Sequence, residues 1–369
     1  MQKNMANDKH LDQLIFSFEE QRLQVPYFEG MRVLAAASCT TDPKNIFILT
    51  DRSELICLDL YTGDLSLVKE LNGDEFPVNS EFQLYCSQDG RFLAVTCRRQ
   101  QSHEHSAICR GVVVRIGDSK EILSLSAGEY HTELTPLPVC FIAHNSKTHL
   151  VHATDWNRLD ITDLETGEII TGRDLTESPR ENEDNDYVFK EWSGVLKASP
   201  SQTRLATIGW VWHPIGVALS YDLKSWLNGD LWETDSSPNM RSYAIWDYFW
   251  DSPFCWINDQ KICIWGVDDG QFGDAPTNTA AVFDVESEEL LLSISGPTSD
   301  IFFFDKYLFS GLYHEEKEPA GITIWSIDDG SLLYKKEGVF CDLYVPEEKA
   351  LIAFGCQGLI TINRWRSHP

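Results

Sequence analysis

Residues 33–71 read VLAAASCTTDPKNIFILTDRSELICLDLYTGDLSLVKEL. Four short apolar runs alternate in this stretch with turns built from polar residues and glycine. Runs rich in β-branched and large apolar residues, bounded by turn residues, are typical of β-strands. We therefore predict four strands here, A to D, which pair as an antiparallel meander.

The same pattern recurs along the chain. A pair of apolar runs, followed by a third, appears seven times, and adjacent repeats are offset by about 43 to 58 residues. This period is that of β-propeller blades with insertions. The second run of each repeat begins near Asn45, Arg91, Thr148, Thr203, Lys261, Lys306 and Lys349.

Seven meanders predict an all-β fold, a seven-bladed β-propeller of four-stranded antiparallel blades in a single domain over residues 1–369. The last repeat stops after its third run, at Trp365. The N-terminal segment, residues 1–25, contains the apolar stretch LDQLIFSFEEQRLQV, which can supply the missing strand and close the ring without a free edge. We expect the blades at about 31–71, 80–126, 138–172, 192–235, 252–294, 299–336 and 338–365, the last completed by the N-terminal strand.

The repeats resemble those of the WD-repeat propellers, in which an aromatic residue and an aspartate end strand C. Phe283-Asp284 keeps this pair and Trp325-Ser326 keeps its aromatic half, whereas no repeat carries the Gly-His dipeptide of that family. The stretch LDLYTG at 58–63 resembles quinoprotein-like propellers, and GWVWHPIGV at 209–217 resembles bacterial propeller proteins. These resemblances imply a propeller fold and give no ground for predicting a cofactor.

The charge balance restricts the kind of partner. Thirty basic and 57 acidic side chains give a formal net charge of −27, which repels phosphate backbones and anionic headgroups. We therefore expect neither nucleic acid nor a membrane as a partner; the acidic surface serves solubility or attracts a basic protein. No apolar run reaches the roughly 18 residues of a membrane span, and no secretion signal is present at the N-terminus, so we expect a cytoplasmic protein.

Connection lengths distinguish the two faces of the predicted propeller. Because consecutive strands are antiparallel, the D-to-A connections and the B-to-C hairpins lie on one face, here called the loop face. The A-to-B and C-to-D turns lie on the opposite turn face. Insertions confined to one face of a repeat protein indicate its binding surface, unless they are tolerated ornament. The long connections that we assign to the loop face are 98–111, 171–191, 210–215, 224–251, 268–279 and 313–320.

Aromatic residues concentrate near these insertions. Nine of the twelve tryptophans lie between Trp192 and Trp265, in blades four and five. Exposed Trp and Tyr side chains are frequent anchors of protein interfaces, although such a cluster can also form a small core of its own. The predicted binding residues are Trp192, Trp210, Trp212, His213, Trp246, Tyr248, Trp250, Phe272, Tyr313 and His314.

Evidence for catalysis in the sequence is sparse. Asp51, Asp155 and Asp268 follow strand B in three blades, where they either bind a divalent cation at the channel mouth or cap turns. No nucleophile elbow, phosphate loop or zinc-protease motif occurs. We expect no metal and no cofactor. We interpret the chain as a non-catalytic scaffold that binds a protein through its loop face, and the charge of the chain allows this partner to be basic. The alternatives are a metal- or carboxylate-dependent hydrolase or lyase at the channel mouth and, third, a small-molecule or sugar sensor.

Overall fold

The computed structural model describes residues 15–99, 108–128, 130–132, 134–174, 191–211, 215–247, 249–267, 277–311 and 321–368. These residues form 27 β-strands. The first fifteen are β1 (Ile15–Gln24), β2 (Val33–Ser38), β3 (Asn45–Thr50), β4 (Glu54–Asp59), β5 (Leu65–Glu70), β6 (Glu81–Cys86), β7 (Phe92–Arg99), β8 (Ile108–Arg115), β9 (Lys120–Ser126), β10 (Val139–His144), β11 (Lys147–Asp155), β12 (Arg158–Asp163), β13 (Glu191–Ala198), β14 (Arg204–Val211) and β15 (Ile215–Asp222). The others are β16 (Arg241–Asp247), β17 (Phe254–Asn258), β18 (Lys261–Trp265), β19 (Thr279–Asp284), β20 (Leu290–Ser295), β21 (Phe302–Asp305), β22 (Tyr307–Gly311), β23 (Gly321–Trp325), β24 (Leu332–Glu337), β25 (Leu343–Val345), β26 (Ala350–Phe354) and β27 (Leu359–His368).

The strands form seven antiparallel sheets, which are the blades of a β-propeller. Five sheets follow the chain as simple four-stranded meanders, beginning with β2-β3-β4-β5. The predicted seven-bladed architecture is therefore confirmed. Blade three has three strands within the described residues, β10-β11-β12. A single β-bridge also joins Thr162 of β12 to Ile169, which follows that strand in the chain.

The ring closes through strands from opposite ends of the chain. The sheet order of blade seven is β1-β27-β26-β25, and β1 pairs antiparallel with β27 from Ile15↔His368 to Gln24↔Leu359. The prediction that the N-terminal segment completes the last blade is confirmed. Blade seven therefore has four strands, three from the C-terminal part of the chain and one from the N-terminal part.

Blade four differs from the expected arrangement. Its fourth strand is β16, which pairs with β15 and begins only at Arg241. Residues 223–240 are therefore a C-to-D connection on the turn face, so assigning all of 224–251 to the loop face is wrong. This connection contains two short helices, α1 (Leu223–Leu227) and α2 (Glu233–Ser236). Residue propensities did not predict the position of β16, because the aromatic run after Arg241 has a composition that fits either a strand or an interface loop.

Apolar side chains fill the spaces between neighbouring blades. Ile48 of blade one packs in one cluster with Ile352 and Ile360 of blade seven. Trp226 of α1 belongs to a cluster that also contains Leu150 and Leu205, from blades three and four. Burial of such side chains stabilises the native state by roughly 25 cal/mol per Å² of apolar surface removed from water. The insertion in blade four is therefore part of the core.

The first strands of the blades surround the central channel. Contacts between these strands join β2 to β6 and β25, β10 to β6 and β13, and β17 to β21. The strand that follows a D-to-A connection thus begins at the loop face and runs down the channel wall. Side chains at the start of these strands are consequently placed where the channel meets the loop face.

Candidate functional site

An aromatic cluster occupies the loop face over blades three and four. We call it the aromatic stack. Tyr130 lies in the connection from blade two to blade three, and Trp156 in the β11–β12 hairpin. Trp192 and Trp210 are register partners on β13 and β14, and Trp250 lies in the connection from blade four to blade five. Three loops and two strands therefore converge on one group of rings.

The rings of the stack contact one another in sequence. Ring centroids are 5.3 Å apart for Tyr130 and Trp156, 4.4 Å for Trp156 and Trp192, and 4.0 Å for Trp192 and Trp210. The ring of Trp250 follows, 6.1 Å from that of Trp210. Tilted and edge contacts at these separations each contribute about 0.5–1.5 kcal/mol beyond the area they bury. The stack is therefore a packed unit and its rings are held in defined orientations.

Hydrogen bonds to the backbone fix the loops around the stack. The indole Nε1 of Trp192 donates to the carbonyl oxygen of Tyr130 at 2.9 Å, and that of Trp250 donates to the carbonyl oxygen of Leu134 at 2.8 Å. Thr135 Oγ1 donates to the carbonyl oxygen of Ser193 at 3.0 Å. The connection from blade two to blade three is thus tied to blade four at several points.

The predicted binding residues occupy different environments. Trp192, Trp210 and Trp246 have buried side chains, only 3%, 6% and 2% exposed, so they support the surface from beneath. Trp246, on β16, donates from Nε1 to the carbonyl oxygen of Gly266 at 3.3 Å. Trp250 is half-buried. Six predicted residues lie outside the described part of the chain: Trp212, His213, Tyr248, Phe272, Tyr313 and His314.

Two rings of the stack that are accessible to solvent were not predicted from the sequence. The side chain of Tyr130 is 48% exposed, and that of Trp156 is half-buried. Tyr130 lies in the connection that leads into blade three and Trp156 lies in blade three itself, whereas the density of tryptophans indicated blades four and five. The signal that would have found them is position, since Tyr130 lies in a D-to-A connection and Trp156 in a B-to-C hairpin.

A cavity of about 320 Å³ opens beside the stack, where the channel meets the loop face. Its walls come from blades two, four and five and from the connections around them. Arg98 in this wall donates through Nη2 to Glu81 at 2.7 Å and lies 3.6 Å from Asp251. Lys197 is the second cation of the cavity. The lining residues are Gln83, Arg98, Pro136, Val195, Lys197, Ile208, Trp250, Asp251, Ser252, Pro253 and Phe254.

The three aspartates considered for a cation have separate surroundings. The backbone amide of Asp51 donates to the carbonyl oxygen of Arg32 at 2.9 Å, in a turn. Asp155 Oδ1 accepts from the amide of Trp156 at 2.8 Å, which is the turn-capping role. Asp268 is outside the described residues. The described part of the chain contains no group of three His, Cys, Asp or Glu side chains able to hold a metal ion.

Comparison with known proteins identifies the fold. No family model matches the chain, and no curated protein matches it in sequence. In contrast, 1198 chains of solved structures match its structure, so the architecture is common. One is a chain in the crystal structure of the mitotic checkpoint complex, with 10% identity and a TM-score of 0.55 over 99% of this chain and 95% of that chain. At this identity the likeness shows the shared fold alone. Among the described residues, no helix has the length and apolarity required to cross a bilayer.

Proposed function

We propose that this protein is a non-catalytic scaffold that binds a protein partner through its loop face. The observation that carries the proposal is the pair of accessible rings, Tyr130 and Trp156, supported from beneath by the buried rings of Trp192 and Trp210. Binding hot spots are enriched in Trp and Tyr because these side chains bury a large area while keeping a polar group.

Rigidity supports this proposal. Binding becomes less favourable when it orders mobile side chains, by about 0.5–1.5 kcal/mol for each side chain that is immobilised. In the aromatic stack this ordering is already present, because Tyr130 and Trp156 contact each other and Trp192 at ring distances of 5.7 Å or less. A partner would therefore meet a surface whose rings have already lost most of their freedom.

The charge suggests the character of the partner. With a net charge of −27, the protein attracts a basic surface at long range and repels nucleic acid. Because this attraction is screened by ions, added salt should slow association with the partner and have a smaller effect on its dissociation.

We further propose a cytoplasmic location in a bacterial cell, in keeping with the sequence expectations.

A site-specific photocrosslinking experiment tests the proposal. The photoreactive residue p-benzoylphenylalanine replaces Tyr130 in one variant and Tyr61 in another, since Tyr61 is 54% exposed and lies in the turn after β4 on the turn face. After irradiation in host lysate, we expect one crosslinked species of defined mass from position 130 and none from position 61. Equal crosslinking from both positions, or none from position 130, would contradict a loop-face scaffold.

The captured protein then permits a quantitative test. A variant carrying both Tyr130→Ala and Trp156→Ala should weaken its binding by about 30-fold or more, the loss expected for hot-spot side chains. Tyr61→Ala is the matched control and should leave the affinity unchanged. An unchanged affinity in the double variant would show that the partner binds elsewhere.

A further inference from the structure

One cation of the channel-mouth cavity, Lys197, has no carboxylate partner within the part of the chain that the structure describes. Lys197 Nζ donates to the carbonyl oxygen of Phe254 at 2.6 Å and lies 5.0 Å from the centroid of the Phe254 ring. Among the described residues, no carboxylate lies within 4 Å of Nζ, although Lys197 lines the cavity. An ammonium group has three donors, and only one of them has a described protein acceptor. Burial also lowers the pKa of Lys197, because desolvation disfavours its charged form.

The other cation of the cavity is already neutralised. Arg98 donates from Nε and Nη2 to Glu81 at 2.9 and 2.7 Å, and from Nη1 to the carbonyl oxygen of Leu134 at 3.2 Å. Asp251 lies 3.6 Å from the same Nη1. Arg98 therefore has two acidic neighbours, whereas Lys197 has no carboxylate within 4 Å among the described residues.

Gln83 adds a neutral donor to the same wall. Its carboxamide oxygen accepts a hydrogen bond from the hydroxyl of Tyr85. The amide hydrogens of Gln83 have no described protein acceptor, and this side chain also lines the cavity. The remaining wall includes Val195, Ile208 and Phe254, which are apolar. The cavity thus combines unmatched hydrogen-bond donors with an apolar surface.

We propose that this cavity binds a small carboxylic acid, with its carboxylate on Lys197 and Gln83 and its carbon chain against Val195, Ile208 and Phe254. The Lys197 ammonium group has free donors for a carboxylate, and ionised acceptors form the stronger class of hydrogen bond. A doubly charged phosphate would add a second negative charge beside Asp251, which a monocarboxylate does not. The volume, about 320 Å³, is at the lower end for ligand pockets and fits a chain of few carbon atoms.

This site goes beyond the proposed scaffold role, because it faces the channel and does not include the exposed rings of Tyr130 and Trp156. Trp250 connects the two features. Its ring lines the cavity and lies 6.1 Å from Trp210 of the aromatic stack. A bound acid would contact one end of the stack, so its effect on Trp250 can be observed without a protein partner.

The test uses sodium butyrate as the probe and butyramide as its neutral counterpart, at equal ionic strength set with sodium chloride. Butyrate should raise the melting temperature of the full chain, since a ligand that binds only the native state stabilises it. We expect half-saturation at about 1 mM and no shift with butyramide. Lys197→Met should weaken butyrate binding at least tenfold, while Lys120→Met, at an exposed position of β9, should have no effect.

A measurement on the unmodified protein guards against misfolding of the Lys197→Met variant. Reductive methylation with formaldehyde and cyanoborohydride, resolved by peptide mass spectrometry, reports the accessibility of each lysine. Butyrate should slow methylation of Lys197 severalfold and leave Lys120 unaffected. Equal stabilisation by butyramide, undiminished butyrate binding in Lys197→Met, or no protection of Lys197 at 100-fold excess over the expected half-saturation concentration would each overturn the proposal.

Discussion

Arg173 Nη1 donates a hydrogen bond of 2.9 Å to Asp160 Oδ1, and both side chains are at most 1% exposed. Asp160 lies on β12, the outermost described strand of blade three. Arg173 also pairs with Asp235 at 2.5 Å, and Asp235 belongs to helix α2 of blade four. Where the other described blades have a fourth strand, blade three thus has a buried ion pair that joins it to its neighbour.

Removal of this arginine should strongly destabilise the protein. Arg173→Met leaves the fully buried Asp160 with Arg158 as its cation and removes the Arg173 partner of Asp235, and breaking a buried pair from one side costs about 3–5 kcal/mol. Urea denaturation followed by circular dichroism measures the loss. The control is Arg366→Met, which removes an exposed pair of 3.5 Å with Glu19 and should change stability by less than about 1 kcal/mol. Equal losses in both variants would show that burial does not strengthen the Arg173 pair.

The closing strand β1 supplies a second prediction. Phe16 is 5% exposed and its ring centroid lies 5.1 Å from that of Tyr307, whereas its neighbour Ile15 is 59% exposed. Phe16→Ala should lower the free energy of unfolding by about 3–5 kcal/mol, the range for a large buried aromatic side chain. Ile15→Ala should change it by less than about 0.5 kcal/mol. Comparable effects of the two substitutions, measured by urea denaturation, would mean that Phe16 does not anchor the seventh blade.

A third prediction concerns a close backbone approach on blade four. A Cβ on Gly216 would lie 1.6 Å from the carbonyl oxygen of Phe249, so Gly216→Ala must displace the segment that precedes Trp250. We expect a loss of about 1–3 kcal/mol in stability, as for overpacked cores, and a change in the environment of Trp250. NMR of 5-fluorotryptophan-labelled protein, assigned with Trp250→Phe, detects that change. Gly117→Ala is the control because a Cβ at that position would have no atom within 4 Å; similar spectra and stabilities for both variants would refute the clash.

Acid should weaken the fold through a buried histidine on β11. Burial lowers the pKa of His152, whose Nε2 lies 2.8 Å from Thr162 Oγ1. Below the unfolded-state pKa, about 6.5, the unfolded chain binds a proton that the native His152 does not, so stability falls as the pH falls. The slope from this group is at most about 1.4 kcal/mol per pH unit. His152→Gln should flatten the dependence between pH 6.5 and 5.5 by up to that amount.

Native-state NMR provides the check on this assignment. The imidazole C–H resonances of His152 should keep their neutral-form shifts through pH 6.5 while the protein remains folded. His149, whose pKa burial also lowers, contributes to the same acid sensitivity and accounts for slope that remains in the variant. Titration of His152 near pH 6.5 in the native protein, or an unchanged slope in His152→Gln, would contradict the prediction.

The sequence predicted the strands because their signal is local. Each blade contains apolar runs such as NIFILT and ELICLD, which became β3 and β4, and the repetition of these runs indicated the number of blades. Ring closure followed from the incomplete seventh repeat. The fourth strand of blade four was misplaced because residues 223–240 intervene after strand C, and no local signal shows whether a long insertion comes before or after the last strand of a blade.

The candidate site was harder to predict because exposure depends on contacts between distant residues. Trp192 and Trp210 lie at the loop face, but the connection that carries Tyr130 covers Trp192. In the sequence, Lys197 is one charged residue within the run GVLKA at 194–198. Its surroundings in the cavity depend on Phe254, 57 residues further along the chain, and on the pairing of Arg98 with Glu81. Such relationships exist only once the blades are assembled.

The closure of blade seven also determines the order in which the protein can mature. Ser17 Oγ on β1 contacts His368 Nε2 on β27 at 3.3 Å, across 351 residues of sequence. At roughly 5–20 residues per second, a ribosome needs about 20–70 s to make that intervening length. During this time β1 is already synthesised while its partner strand does not yet exist. Until β27 has been made, the backbone edge of β1 that it pairs with therefore stays unpaired.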